Sequence, residues 1–219
     1  MSSTNAREAI LSRLGAARKA APVPLDPRMA WSAPETGSSQ RVDVFARRME
    51  AVGTQVLRAP LGQWKKALAG VLKEKKPATV AYGPGAWFAK DLASMLGRDG
   101  LPEGRPFAAQ AEDFRDELFT LDASVTSARA GIAENGALLV VPDPGEPRLL
   151  SLVPPLHVVL LKATGILSTF AGAIALMDPA SGMPANALLI TGPSKTADIE
   201  LTLAFGVHGP KELTVIILE

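Results

Sequence analysis

Three short segments carry residue types that could do chemistry. The first is Gly131-Ile132-Ala133-Glu134-Asn135-Gly136-Ala137-Leu138, where a carboxylate stands at a turn between two apolar runs. Asn-Gly between apolar runs signals a tight turn. Such a turn can aim Glu134 at a cleft while Gly136 admits close approach to the backbone. A carboxylate held there could act as general base, or as a nucleophile forming an acyl intermediate. The plain alternative is a hairpin turn with a solvated glutamate. The second segment runs from Ile190 through Gly192, Ser194, Lys195 and Thr196 to Asp198 and Glu200. It reads as a strand, a turn and a helix start, with Ser194 as N-cap. Free amides there, with Gly192, Lys195 and the hydroxyls of Ser194 and Thr196, could cradle an anion. Ordinary helix capping is the alternative, and the spacing is not that of a P-loop. The third segment, Phe205 to Pro210, places His208 in a glycine-containing loop, either as an exposed acid–base group or as a histidine bonded to backbone.

Composition narrows the function classes. The 219 residues are 47% hydrophobic and 21% charged, enough for a real core and unlike a disordered chain. Cysteine is absent, which excludes disulfides, a thiol nucleophile and thiolate-held zinc or iron–sulfur clusters within this chain. With only His157 and His208, a multi-histidine metal site is not expected. The net charge of +1 argues against nucleic-acid binding. That charge is uneven: residues 1–110 hold 17 basic and 9 acidic groups, and residues 111–219 hold 6 and 13. Either the helices of each half differ in solvated charge, or one face docks a charged partner. The longest apolar run, Leu149 to Leu161, is broken by Pro154, Pro155 and His157, so no membrane span is expected. No secretory signal is read at the start, and a cytoplasmic location is the expectation.

The elements that must position these residues follow from periodicity. Ala6, Ile10, Leu14 and Ala17 mark a first helix. Pro22, Pro24, Pro27 and Pro34 then mark an extended connector, so residues 1–39 read as a helical arm and linker. Residues 40–219 read as one α/β domain. Its helices are marked by Val42, Phe45 and Met49, by Trp64, Leu68 and Val71, and by Phe88, Leu92 and Met95. Further helices are read through Ile166, Phe170 and Ile174 and through Ile199 and Leu203, with a short acidic one over Glu112 to Phe119. Strands are read at Thr54 to Ala59, Ala78 to Tyr82, Ala123 to Ile132, Ala137 to Val141, His157 to Leu161, Ala187 to Thr191 and Leu213 to Leu218. Asp99 to Ala109 and Asp143 to Pro147 read as loops, Gly83-Pro84-Gly85 as a turn, and His157 as a satisfied core histidine. Strand and helix in alternation predict a mainly parallel sheet.

The stretches Gly131 to Glu134, Arg148 to His157, Ile190 to Glu200 and Gly206 to Pro210 resemble the lactate utilization protein C family, also called LUD-domain proteins. The order and spacing match from about residue 40 to residue 219. Family members commonly read Glu-Thr-Gly where this chain has Glu134-Asn135-Gly136. The resemblance implies a three-layer α/β/α sandwich like the NagB/RpiA/CoA-transferase group. It also implies a part in oxidation of L-lactate to pyruvate beside two iron–sulfur partner proteins, which would hold the clusters. Glu134-Asn135-Gly136 is further similar to the segment around the nucleophilic glutamate of class I CoA-transferases.

Three readings of function follow. The leading one is an accessory subunit for lactate oxidation, binding a small carboxylate or anion near Glu134, Asn135, Gly136 and the Gly192 to Thr196 turn. Neither a dinucleotide fingerprint nor a haem motif is present, so no cofactor is expected in this chain. The second is a free-standing enzyme, acyl-CoA transferase-like or sugar-phosphate isomerase-like, with Glu134 and His208 as its chemical groups and a phosphorylated ligand. The third is a non-catalytic adaptor that joins partners through the N-terminal arm and the charge asymmetry.

Overall fold

A computed structural model describes residues 3–18, 37–107, 117–178, 182–197, 203–205 and 209–219. Two units can be delimited, residues 1–34 and residues 35–219. In the first, helix α1 spans Ser3–Arg18.

In the second unit, α2 (Ser38–Ala51) buries Val42, Phe45, Ala46 and Met49, the one-sided stripe its periodicity predicts. It stops where Gly53 takes a φ of 93°, a left-handed region that favours glycine. Strand β1 (Gln55–Ala59) leads to α3 (Trp64–Lys75), whose buried stripe is Trp64, Leu68, Val71 and Leu72. Lys73 and Lys75 occupy its last turn, where positive charge opposes the helix dipole. Strand β2 (Thr79–Tyr82), α4 (Ala89–Met95), β3 (Glu103–Pro106) and β4 (Ala123–Ser127) follow. Next come β5 (Ala130–Ile132), β6 (Ala137–Val140), β7 (Leu156–Lys162), β8 (Ile166–Leu167) and α5 (Phe170–Leu176). The chain closes with β9 (Leu188–Ile190), β10 (Lys195–Ala197), β11 (Leu203–Phe205) and β12 (Glu212–Leu218).

Six strands form one sheet in the order β1-β12-β7-β4-β2-β3, and every pair in it is parallel. Its inner strands are covered on both faces, so β7 and β12 read as near-continuous apolar runs, broken by His157 and Thr214, rather than alternating ones. On one face Val125, Val158, Leu160 and Ile216 pack with Leu68 of α3 and with Phe88, the residue just before α4. On the other, Val159, Leu161, Val215 and Ile217 pack with Phe45 and Met49 of α2. Leu138 and Val140 of a second sheet complete that face. The second sheet has the order β8-β5-β6-β9. The architecture is therefore a mixed α/β sandwich around a parallel sheet, as expected, with a small sheet sharing one outer layer with α2. No helix among the described residues is long and apolar enough to cross a membrane.

Four expectations give way, the first being the start of the helix read through Ile166, Phe170 and Ile174: Ile166 lies in β8 and the helix begins at Phe170. The run Ala123 to Ile132 is not one strand: β4 belongs to the large sheet and β5 to the small one. The chain changes sheets at Ala128–Arg129, where the Ala128 amide still donates to Leu160 and the Arg129 amide already donates to Leu139. The loop expected over Asp99 to Ala109 contains edge strand β3, on which Pro106 is tolerated because an edge leaves one side of the ladder unpaired. Where a helix through Ile199 and Leu203 is expected to start after Ser194, an antiparallel pair stands instead: Lys195, Thr196 and Ala197 face Phe205, Ala204 and Leu203, and Ile199 itself lies outside the described residues. Tertiary pairing overrides a helical spacing that only two apolar residues defined. The acidic helix expected over Glu112 to Phe119 lies mostly outside the described residues, as does the proline-rich connector from residue 19 to residue 36.

Candidate functional site

The Glu134 turn closes the β5–β6 hairpin, in which Ile132 pairs with Ala137. Asn135 is exposed and Glu134 half-buried. The Glu134 carboxylate accepts a hydrogen bond from the Phe170 amide at 2.9 Å, at the first turn of α5. Thr169 caps the same helix by accepting from the Gly172 amide at 3.1 Å. A carboxylate at a helix start satisfies an otherwise unpaired amide and matches the dipole, so this geometry gives Glu134 a structural role. Gly136 has a φ of 63°, and a Cβ there would fall 2.6 Å from Cβ of Arg48. The open side of this glycine is filled by α2.

The Gly192 turn reaches the same helix. A Cβ on Gly192 would meet Cγ2 of Val52 at 2.8 Å. The Lys195 ammonium donates to the Val52 carbonyl at 2.6 Å, satisfying a carbonyl at the C-terminal end of α2. The Ser194 amide donates to the Pro210 carbonyl at 2.8 Å. Pairing of Leu138 with Ile190 across β6 and β9 carries the two turns to one end of the small sheet. The structure thus brings Gly136, Gly192 and Lys195 together on the last turn of α2, while the Glu134 carboxylate turns to α5. Thr196 lies in β10. His208 lies outside the described residues.

A different place gathers unspent polar groups. The chain passes from β2 outward to β3 and returns to β4 on the other side of β2, so the strand order reverses between β2 and β4. In open parallel sheets ligands bind beyond the carboxyl ends of strands, near such reversals. Here that edge carries Ser127, the last residue of β4, and Lys162, the last of β7. A crevice of about 420 Å³ is lined there by Ser127, Arg129, Asp143, Glu146 and Met177, among others. An adjoining lobe of about 380 Å³ shares Ser127, Arg129 and Leu176 and adds Trp87, Lys162 and Thr164.

The Asp143 to Glu146 loop is held rigidly. Asp143 Oδ1 accepts from the amides of Gly145 and Glu146 at 2.6 and 2.8 Å. The Gly85 amide donates to the Gly145 carbonyl at 3.1 Å. A Cβ on Gly83 would fall 2.1 Å from that carbonyl oxygen, so the Gly83 turn and this loop require glycine to meet. The loop sets the Glu146 carboxylate over Ser127, whose amide donates to Oε1 at 2.7 Å and whose hydroxyl donates to Oε2. Burial pushes the Glu146 carboxyl above its ordinary range, against the two Ser127 hydrogen bonds, which lower it, and with Asp143, which raises it further. Lys162 places its ammonium 5.5 Å from the ring centre of Trp87. The Arg129 guanidinium makes no ion pair and no side-chain hydrogen bond among the described residues.

None of these crevice residues is among the candidates read from sequence. Their signals were faint: one arginine interrupting an otherwise small and apolar run, and two carboxylates in a Pro/Gly loop. His157 is fully buried, as a core histidine should be, with Nε2 2.8 Å from the Thr126 hydroxyl. Its Nδ1 has no hydrogen-bond partner among the described residues.

A parallel sheet flanked by helices, with a polar crevice at its carboxyl edge, defines an α/β protein. The model of the LUD domain matches residues 42–218, and the chain belongs to that family. An uncharacterized protein of Neisseria meningitidis serogroup B is 34% identical, over 97% of this chain and 93% of that protein. Lactate utilization protein C of Halalkalibacterium halodurans is 27% identical over 84% of this chain and 82% of its own length. Its counterpart in Bacillus subtilis is 29% identical over 68% and 62%. A crystal structure of a DUF162 family protein from Deinococcus radiodurans shares the fold, with a TM-score of 0.58 and 19% identity over 84% of this chain and all of that one.

Proposed function

We propose that this chain is an accessory component of L-lactate utilization, acting in the oxidation of L-lactate to pyruvate beside two iron–sulfur partner proteins. The observation that carries the reading is the LUD-domain match over residues 42–218. Relatives across much of this length are named lactate utilization protein C, which supports the same role. The oxidation removes two electrons from the substrate. With no cysteine, this chain supplies no thiolate ligands for a cluster, so electron carriers belong to its partners in this reading. Its own contribution is binding a small carboxylate or anion, for which the carboxyl-edge crevice offers cationic groups.

Reconstitution tests the role. The chain is purified together with the two iron–sulfur proteins of the host's lactate system, and L-lactate-dependent electron transfer is followed with and without it. Loss of electron transfer on omission is the expected result. Equal activity without this chain overturns the reading.

A further inference from the structure

We infer that the crevice at the carboxyl edge of the large sheet is a binding site for a small hydroxycarboxylate, with Arg129 as the carboxylate anchor and the Glu146–Asp143 loop as the hydroxyl acceptor. The place of the site stands on geometry alone. The choice of a hydroxy acid within the wider class of organic anions rests on the proposed role in lactate utilization.

Arg129 lines both lobes of the crevice, at the point where the chain leaves β4 for β5. Its amide is tied to Leu139, which fixes the backbone, while its planar fork is unspent among the described residues. A guanidinium fork matches a carboxylate through two parallel hydrogen bonds, which gives direction as well as attraction. On one side of Arg129 lie Asp143 and Glu146. These two groups repel a second anion but accept hydrogen bonds from a hydroxyl. Glu146 has spent one lone pair of each oxygen on Ser127, and a carboxylate carries about four such sites, so acceptor capacity remains. Asp143 uses only Oδ1 toward the loop amides. In the adjoining lobe, Leu160 and Leu167, with Leu176 shared between the lobes, offer an apolar wall for a carbon skeleton, and Lys162 adds a second positive charge. One cation, one acceptor pair and one apolar wall converge on a ligand with a carboxylate, a hydroxyl and a short apolar group.

The loop that brings the acceptors packs closely against the Gly83 turn. Gly83, Gly85 and Gly145 approach so closely that no side chain fits between them. Glu146 is therefore positioned before a ligand arrives, and little ordering is needed on binding.

Titration of the purified full chain by calorimetry, with L-lactate, propionate and inorganic phosphate as probes, tests the inference. L-lactate is expected to bind more tightly than propionate, which lacks the hydroxyl, and more tightly than phosphate. Arg129→Gln should weaken L-lactate binding by roughly tenfold or more, the effect of losing a charge-assisted contact. Lys66→Gln, on the exposed side of α3 and outside the lining of both lobes, should leave it unchanged. Arg129→Lys, which keeps the charge but not the fork, should recover only part of the affinity. Each variant is checked for an unaltered unfolding temperature, so a lost site is told apart from a lost fold. No binding of L-lactate, equal binding of propionate, preference for phosphate, or full affinity in Arg129→Gln would each overturn the inference. A chain that binds L-lactate through Arg129 yet is dispensable in reconstitution keeps the site and sinks the proposed role. The reverse outcome keeps the role and sinks the site.

Discussion

His157 shows how much one buried side chain can do to stability. Burial pushes its imidazole down to about 3, so it is neutral in the folded protein. Its folded value lies below its unfolded one, so the unfolded chain binds the proton first as pH falls. Stability is then full above about pH 6.5 and lost progressively below it, with a limiting slope of about 1.4 kcal/mol per pH unit. Between pH 7 and pH 5 this group alone should remove about 2 kcal/mol. Urea unfolding at the two pH values measures it. His157→Gln, which keeps a hydrogen-bonding group beside Thr126, should show a smaller loss by about that amount; an identical loss would remove His157 as the cause. Glu134 gives a second prediction at this scale. Its carboxylate meets the Phe170 amide, so Glu134→Ala should cost about 0.5–2 kcal/mol in unfolding free energy, as lost helix caps do.

At the scale of elements, glycines separate where a turn is packed from where a helix is merely loose. Gly70 sits exposed in the middle of α3, and a Cβ there meets nothing within 4 Å. Gly70→Ala should therefore stabilise by about 0.5–1 kcal/mol, read as a higher urea midpoint with an unchanged slope. Gly136→Ala should do the opposite, because its Cβ would collide with Arg48 and its φ is positive. A cost of about 1–3 kcal/mol is expected from overpacking and strain. The two substitutions are chemically identical, so opposite signs would come from the surroundings alone. The elements also show what could be read in advance. The stripes of α2 and α3 and the apolar runs of β7 and β12 were legible because burial imposes periods of 3.6 and of continuous apolarity on the sequence. The break between β4 and β5 was not, since both halves are small and apolar and only hydrogen bonding assigns them to different sheets. The β10–β11 pair was misread as a helix because a strand of three residues carries too few positions to show its period.

At the scale of the whole molecule, the apolar clusters found among the described residues of the second unit run from Val42 to Leu218. The LUD match covers the same span. A chain of residues 35–219 should therefore unfold in one cooperative thermal transition, followed by circular dichroism. A broad, non-cooperative loss of signal would show that residues 1–34 are needed for the fold. The same truncation separates the adaptor reading from the others: co-purification with iron–sulfur partners that survives removal of residues 1–34 would end the idea that the arm joins them.

By itself the sequence determined the α/β class, the helical faces, the apolar central strands, the absence of thiol chemistry and the family resemblance. These are local or compositional properties, and each leaves its mark on neighbouring residues. Tertiary structure alone decided which polar groups are already engaged. Glu134 and Lys195, prominent in sequence, are spent on the ends of α5 and α2. Arg129, Glu146 and Lys162, inconspicuous and far apart along the chain, meet at one edge of the sheet. Parallel strands bring their carboxyl ends together only through long crossovers, so no short window of sequence records which loops will become neighbours.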